Sequence, residues 1–308
     1  MKHPYKKGYL AVGEGHKLYY ELCGNKKGLP VLFLHGGPGA GFNENHKKLF
    51  DFKKFNVIFL DQRGAGRSKP FAGIKTNKTS NLVKDISKIL DYLNIKRVFL
   101  FGGSWGSTLA LVYAIRNPKR VIGMFLRGIF LATREENRFY THDVKNFFPA
   151  EYERMISLVP ESRRNDVLRY YCRQMMGNDK KKRGKYAYEW SLYEHSILKL
   201  VPDKNPGKSI KKFPCLSLGV LETYYLSNGC FIPEGYILKN AKKLKMPVSI
   251  AQGRYDLICP PVNAWKLHRM LPNSRIHFAI SGHSGSDPET KKITKKEMSR
   301  FERILRKF

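Results

Sequence analysis

The chain has 308 residues, 42% of them hydrophobic, and this composition excludes wholesale disorder. It carries 57 lysines and arginines against 25 acidic residues, which gives a formal net charge of +32. No run of about 18 apolar residues occurs, which excludes a membrane-spanning helix, and the N-terminal segment lacks the apolar core expected of a secretory signal.

Short apolar runs that end in glycine-containing turns recur along the chain and predict β-strands. The runs are rich in β-branched and aromatic residues and do not alternate with polar ones, which is typical of strands buried on both faces of a parallel sheet. They are VLFLHGG (31–37), VIFLDQRG (57–64), VFLFGGS (98–104), VIGMFLRG (121–128) and MPVSIAQG (246–253).

Helical patterns separate these strands. In the segment 82–93, one helix face collects Leu82, Ile86, Ile89, Leu90 and Leu93. Strands that alternate with helices predict the α/β class, with a mostly parallel, doubly wound sheet.

The alternation stops near residue 131 and resumes at 246. Segments 150–159, 165–176 and 186–200 carry helical patterns, so we expect a helical cap inserted over the sheet. The predicted organisation is a first core part over 1–130, the cap over 131–240 and a second core part over 241–308. A basic amphipathic helix ends the sequence, and four of its residues are expected to dock on the core rather than on a membrane: Phe301, Ile304, Leu305 and Phe308.

The cysteines are odd in number and widely spaced, at positions 23, 172, 215, 230 and 259. No CxxC pair and no HExxH pattern occurs, so neither a disulfide framework nor a metal site is expected. Reduced thiols fit a cytoplasmic protein.

The positive charge could attract nucleic acid or an anionic membrane. The basic residues are scattered rather than striped with aromatic residues, so we interpret them as solvated faces. The densest run, 179–183, is expected to be a solvated loop.

The segment FLFGGSWGSTLALVYA (99–114) holds the clearest chemical motif. It lacks the lysine of a phosphate-binding P-loop and the spacing of a dinucleotide-binding turn. Gly102 to Gly106 instead form G-x-S-x-G between a predicted strand and a predicted helix, the setting in which a strained turn exposes a nucleophilic serine. A purely structural strand-to-helix turn is the alternative. The motif therefore makes Ser104 the candidate nucleophile.

A serine needs a base to remove its proton, and the base needs an acid to orient it. In chain order these partners should follow Ser104 as an acid and then a histidine, each after a strand. Asp256 follows the strand predicted at 247–251, and His283 follows one further predicted strand. We therefore predict a triad of Ser104, Asp256 and His283.

An oxyanion needs backbone N–H donors. The residue after the nucleophile, Trp105, should supply one donor. The loop HGGPG (35–39) follows an early strand, and its glycines allow close approach to a substrate, so Gly37 is the predicted second donor. A plain strand-to-helix turn is again the alternative.

The chain resembles the proline iminopeptidases, serine exopeptidases of the α/β-hydrolase superfamily. The resemblance spans nearly the whole chain and rests on motifs in a fixed order: HGGPG (35–39), DQRGAGRS (61–68), GGSWGSTLAL (102–111), LRGIF (126–130), GRYDLICP (253–260) and SGHS (281–284). It implies an α/β-hydrolase fold, release of N-terminal proline from peptides, and no metal or cofactor.

The resemblance also implies that cap acids recognise the free amine of the substrate. WSLYE (190–194) resembles the family's W-S-x-W-E and supplies Glu194, with Tyr193 in place of the second tryptophan. The segment 219–232 supplies Glu222, although Val220, Thr223 and Tyr224 depart from the family pattern there. Charge-assisted hydrogen bonds from such carboxylates would select a terminal ammonium. Ordinary surface glutamates are the alternative.

Phe130 and Tyr140 are implied as walls for the proline ring, and core packing is the alternative for both. Taken together, the residues predict a serine exopeptidase that works through an acyl-enzyme on peptides with N-terminal proline. Another α/β-hydrolase activity (a broader aminopeptidase, an amidase or an esterase) is the first alternative. A basic nucleic-acid-binding protein that has kept a hydrolase fold is the second. No specific nucleic acid or membrane partner is expected.

Overall fold

The computed structural model describes residues 3–305 and contains one eight-stranded sheet over that range, in the order β1-β2-β4-β3-β5-β6-β7-β8. The strands β3 to β8 all run parallel, whereas β2 is antiparallel to both β1 and β4. The strands are β1 Lys6–Gly13, β2 His16–Gly24, β3 Leu29–Leu34, β4 Phe55–Leu60, β5 Val98–Ser104, β6 Val121–Ile129, β7 Val248–Gly253 and β8 Ser274–Ala279.

Helices cover both faces of the sheet and form the segment between β6 and β7. Within the described range they are α1 Glu44–Lys47, α2 Thr79–Tyr92, α3 Trp105–Arg116, α4 Arg134–His142, α5 Pro149–Ile156, α6 Val167–Met176, α7 Lys180–Ile197, α8 Pro206–Ser209, α9 Cys215–Ser227, α10 Tyr236–Asn240, α11 Pro261–Met270 and α12 Pro288–Leu305. Short 3₁₀ turns lie at Pro118–Arg120, Asp143–Asn146, Glu161–Asp166, Ile210–Lys212, Gly229–Phe231 and Ala241–Lys243.

Alternate residues of the central strands fill two cores, one on each face of the sheet. On one face, the ring of Phe33 lies 5.4 Å from that of Phe59 and 5.5 Å from that of Phe101, and Phe101 lies 5.0 Å from Phe125. Full burial of each such ring contributes roughly 1.5–3 kcal/mol. The opposite face packs aliphatic residues against α2 and α3, which explains why these strand sequences are apolar without alternation.

The cap region contains helices and no strand: the structure describes every residue from 130 to 247, and none of them is extended in the sheet. Helices α6, α7 and α9 pack on one another there. The domain boundaries at 130 and 240 stay a prediction. The prediction of a loop at 179–183 is wrong, because α7 begins at Lys180. Asp179 caps the start of this helix by accepting hydrogen bonds from the N–H groups of Lys181 and Lys182.

The C-terminal helix docks with part of its predicted face. Phe301 is fully buried with its ring 4.6 Å from that of Phe99, and Leu305 is also buried. Ile304 is 42% exposed, so its predicted docking on the core is wrong. Phe301 and Leu305 are four residues apart and share one face of the helix, whereas Ile304 lies beside that face. Phe308 lies outside the described residues. No helix in the described range is long and apolar enough to cross a bilayer.

The different burial of Phe301 and Ile304 on α12 gives a stability test. Phe301→Ala should lower the free energy of unfolding by about 3–5 kcal/mol, because it leaves a cavity against Phe99. The matched control, Ile304→Ala, should cost about 1 kcal/mol or less, since its side chain already meets water. Urea unfolding followed by circular dichroism measures both, and equal losses would contradict this account of how α12 docks.

Candidate active site

Ser104 lies at the turn from β5 into α3, and its backbone is strained. Its φ of 56° is in the left-handed region, which a residue with a side chain rarely adopts. The neighbouring glycines make this turn possible. A Cβ at Gly106 would lie 2.1 Å from the carbonyl oxygen of Leu34, and one at Gly102 would lie 2.3 Å from that of Gly106. Close packing of α3 on β3 and β5 therefore holds the serine in position.

His283 and Asp256 are in direct contact. Nδ1 of His283 lies 2.9 Å and 3.1 Å from the two carboxylate oxygens of Asp256, and both side chains are buried. A carboxylate only accepts, so Nδ1 carries the proton and Nε2 is left as the acceptor. The sequence-based pairing of these two residues matches this geometry.

Besides His283, three hydrogen-bond donors fix Asp256. One oxygen accepts from the N–H groups of Cys259 at 2.7 Å and Ile258 at 3.0 Å, and the other accepts from Gln252 Nε2 at 3.0 Å. The amide oxygen of Gln252 in turn accepts from the N–H of Ile129. Sequence reasoning missed Gln252, which links the acid to the strand beside Ser104.

Two observations place this pair beside the serine. In the sheet register Ser104 pairs with Ile129, and a Cβ on the adjacent Gly128 would lie 2.7 Å from Cε1 of His283. The pKa of the Cys259 thiol is raised well above 9 by burial first and by Asp256 next, while a hydrogen-bonding contact with Ser104 opposes the rise. The three predicted triad residues therefore meet at the carboxyl ends of β5, β6, β7 and β8.

The glycine loop 35–39 lies against the nucleophile. A Cβ at Gly36 would lie 3.3 Å from Cβ of Ser104, so only glycine leaves room there. Gly37 has a φ of 104°, a conformation that a side chain would strain. Trp105 is the first residue of α3, where the N–H groups have no partner within the helix. The two predicted donors thus flank the serine.

A buried network that sequence reasoning missed connects those two donors. Gln62 donates its N–H to Nε2 of His35 at 3.0 Å, and its side-chain oxygen accepts from Nε1 of Trp105 at 2.8 Å. Because His35 Nε2 accepts, Nδ1 carries the proton and donates to the carbonyl of Gly36. Burial lowers the pKa of His35, which keeps this ring neutral. The only signal in the sequence was the position of Gln62 in DQRG.

Two cap helices contribute a pair of acids. Glu222, on α9, is buried and accepts a hydrogen bond from Nε1 of Trp190 on α7 at 2.6 Å. Its pKa is raised well above 4.5 by burial and then by the charge of Glu194 on α7. One oxygen of Glu194 is buried with no hydrogen-bond partner among the described residues. A cation bound beside these two acids would stabilise their ionised forms.

Tyr140 lies beside this acid pair. It is buried, its ring is 5.7 Å from that of Trp190, and its hydroxyl has no partner among the described residues. Burial raises its pKa, and the charges of Glu194, Glu222 and Cys259 raise it further. Phe130 is buried next to Ile129, and its carbonyl accepts from the Thr108 hydroxyl. The structure therefore brings Tyr140 to the acids and Phe130 to the end of β6.

Glu136 holds the junction between the core and the cap, a further role that sequence reasoning missed. Its carboxylate accepts from the N–H groups of Leu131 at 2.9 Å and Thr133 at 2.9 Å, and from Nδ2 of Asn263 on α11 at 2.9 Å. Burial raises its pKa to about 7. This carboxylate fixes the path of the chain directly after Phe130.

Comparison with known proteins identifies the fold. Residues 30–290 match the family model for the alpha/beta hydrolase fold. Among solved structures, the proline iminopeptidase of Mycobacterium smegmatis aligns with a TM-score of 0.65 at 17% identity, covering 97% of this chain and 100% of its own. An esterase from Exiguobacterium antarcticum aligns with a TM-score of 0.64 at 20% identity, covering 96% and 99%. Identity this low shows the fold alone.

Curated sequences are more similar. The proline iminopeptidase of Xylella fastidiosa (strain 9a5c) is 39% identical over 291 residues, which cover 93% of each chain. That of Neisseria gonorrhoeae is 37% identical over 292 residues, covering 94% of this chain and 93% of its own. With this identity over almost the full length, and with the alpha/beta hydrolase fold, the chain belongs to the proline iminopeptidase family.

Proposed function

We propose that the protein is a serine exopeptidase that releases N-terminal proline from peptides. The observation that carries this proposal is the acid pair on the cap helices, the buried Glu222 and Glu194 with one buried oxygen, in a protein that also holds Ser104 beside a histidine–aspartate pair. A general esterase has no use for two carboxylates that need a cation. An exopeptidase does, since the free amine of its substrate is what distinguishes a chain end from an internal peptide bond.

In the proposed reaction, the charged proline nitrogen is held by Glu194 and Glu222 beneath the cap. Phe130 and Tyr140 form walls for the ring. Ser104 attacks the proline carbonyl while Nε2 of His283 takes the hydroxyl proton, and Asp256 stabilises the resulting imidazolium. The N–H groups of Gly37 and Trp105 hold the oxyanion.

His283 then gives the proton to the leaving amine of the remaining peptide, which departs and leaves proline esterified to Ser104. Water attacks this acyl-enzyme with His283 again as the base, and proline is released with the serine regenerated. Every proton that moves in these steps passes through His283, and the chemistry calls for no metal or cofactor. We further propose a cytoplasmic location, which the five free cysteines support.

Replacement of the nucleophile tests the proposal directly. Ser104→Ala should lower the rate of p-nitroaniline release from prolyl p-nitroanilide by at least ~10³-fold, because no acyl-enzyme can form. It should also abolish labelling by a fluorophosphonate probe. Ser157→Ala, on an exposed serine, is the control and should keep full activity. Normal turnover by the Ser104 variant would end the proposal.

The acid pair predicts a loss that depends on the substrate. Glu194→Gln and Glu222→Gln should each lower kcat/KM for prolyl p-nitroanilide by roughly 30-fold or more, since loss of one charge-assisted hydrogen bond to the bound amine costs about 2 kcal/mol or more. Hydrolysis of p-nitrophenyl acetate, which has no amine, should change far less. Glu189→Gln is the matched control, because Glu189 lies on α7 with Glu194 but pairs with Arg154. Equal losses on both substrates would show that the acids only support the fold.

The raised pKa of Glu222 also predicts how stability depends on pH. The folded protein holds a proton on this carboxyl that the unfolded chain releases near pH 4.5, so folding stability falls as pH rises above that value. Glu222→Gln removes the carboxyl group and with it this loss of stability at higher pH. The unfolding free energy of Glu222→Gln minus that of the native protein should therefore increase from pH 5 to pH 8. Urea unfolding at both pH values measures it. Glu153→Gln, at an exposed position, should show no such growth, and a constant difference for Glu222→Gln would contradict the prediction.

A further inference from the structure

The loop that carries His283 is bonded to the cap as well as to the sheet. The N–H of Ser284, directly after the histidine, donates to the carbonyl of Leu198 at 2.9 Å. The N–H of Leu200 donates to Oδ2 of Asp287 at 3.3 Å. Leu198 and Leu200 immediately follow α7, so the end of this cap helix contacts the loop on both sides of the histidine.

Asp287 is the centre of this connection. It is buried and directly precedes α12, and the oxygen that accepts from Leu200 also accepts from the N–H of Gly282 at 2.8 Å. Gly282 is the residue before His283. A single carboxylate oxygen therefore joins the backbone beside the histidine to the backbone of the cap.

The histidine loop and the residues that follow α7 are packed so closely that neither can move without the other. A Cβ at Gly282 would lie 2.7 Å from the nitrogen of Leu200 and 2.8 Å from the carbonyl carbon of Lys199. On the sheet side, Nη1 of Arg127 donates to the carbonyl of His283 at 3.2 Å. The loop is thus held between β6 and the cap, and a displacement of the end of α7 must displace the loop as well.

Glu194 lies on α7 four residues before Leu198, about one helical turn away along the same side. The carboxylate assigned to the substrate's amine and the carbonyl that holds Ser284 therefore belong to one short, rigid length of helix. Any movement of α7 on capture of a cation at Glu194 reaches the histidine loop directly.

We propose that Asp287 is a positioning residue that makes the placement of His283 depend on the seating of α7, so that binding of the terminal amine is transmitted to the catalytic base. This inference rests on the proposed function and extends it. The amine would contribute to kcat as well as to KM, because its binding energy is used to assemble the triad. Substrates without the amine would meet a less well-placed histidine.

A double-variant cycle on prolyl p-nitroanilide tests the coupling. Asp287→Ala should lower kcat about tenfold with little change in KM, because a small misplacement of the base slows the chemical step. Asp287→Asn keeps one acceptor oxygen and should recover most of that loss. If Glu194 acts through the same contact, the kcat loss of Glu194→Gln combined with Asp287→Ala should be much smaller than the product of the two single losses. Losses that multiply would overturn the proposal.

Asp203→Ala is the matched control, since Asp203 lies in the same connecting segment but accepts from the Ser209 hydroxyl instead; its kcat should stay near that of the native protein. If the native protein does not cleave prolyl p-nitroanilide, the proposed function fails. The positioning role is then measured separately, by the rate at which a fluorophosphonate labels Ser104. Slower labelling of Asp287→Ala, restored in Asp287→Asn, supports it, and an unchanged rate overturns it.

Discussion

The contact between Gly106 and the carbonyl of Leu34 is the constraint on which the site depends. It brings α3 so close to β3 that no side chain fits between them. That closeness forces the chain through the left-handed conformation at Ser104 and aims the first N–H groups of α3 at the glycine loop that follows β3. The positions of the proposed nucleophile and of both proposed oxyanion donors therefore depend on one packing contact. His283 and Asp256 reach the same place because parallel strands deliver their carboxyl-end loops to one edge of the sheet.

The cap adds a second constraint, the burial of charge. Burial and the nearby charge of Glu194 disfavour ionisation of Glu222, and Trp190 supplies only one donor to the pair. Two acids held this close together cost stability, which a protein tolerates where the cost is recovered when a ligand binds. The buried hydroxyl of Tyr140 beside the acids, which has no hydrogen-bond partner within the described part of the chain, adds to this cost.

Most of the fold could be predicted because its signals are local. Apolar strands that end at glycines, and one strained turn, identify the parallel sheet and Ser104. The antiparallel hairpin of β1 and β2 was not predicted, since β1 is a largely exposed edge strand and both strands carry lysines. The exposure of Ile304 could not be predicted either, because α12 meets the sheet along a stripe narrower than the apolar face of its sequence.

The triad order and the cap acids could be proposed from motifs, but the residues that hold them could not. Gln62, Gln252 and Glu136 each bond a partner far away in sequence: Gln62 donates to the carbonyl of His35, Gln252 accepts from the N–H of Ile129, and Glu136 accepts from the side chain of Asn263. A glutamine or glutamate has no pattern that marks such a partner. Only the tertiary structure shows that these polar side chains are buried and what they bond.

Burial of acids also changes the electrostatics of the outer surface. Where burial is described, nine acidic residues are buried but only two basic ones, Lys47 and Arg63. The solvent-facing shell is therefore more cationic than the net charge of +32 conveys. An unblocked prolyl amide, itself a cation, must cross this repulsive field before it meets the carboxylates inside. Dissolved salt screens the field over about 10 Å at 0.1 M, so added salt should speed the encounter of such a substrate with the enzyme.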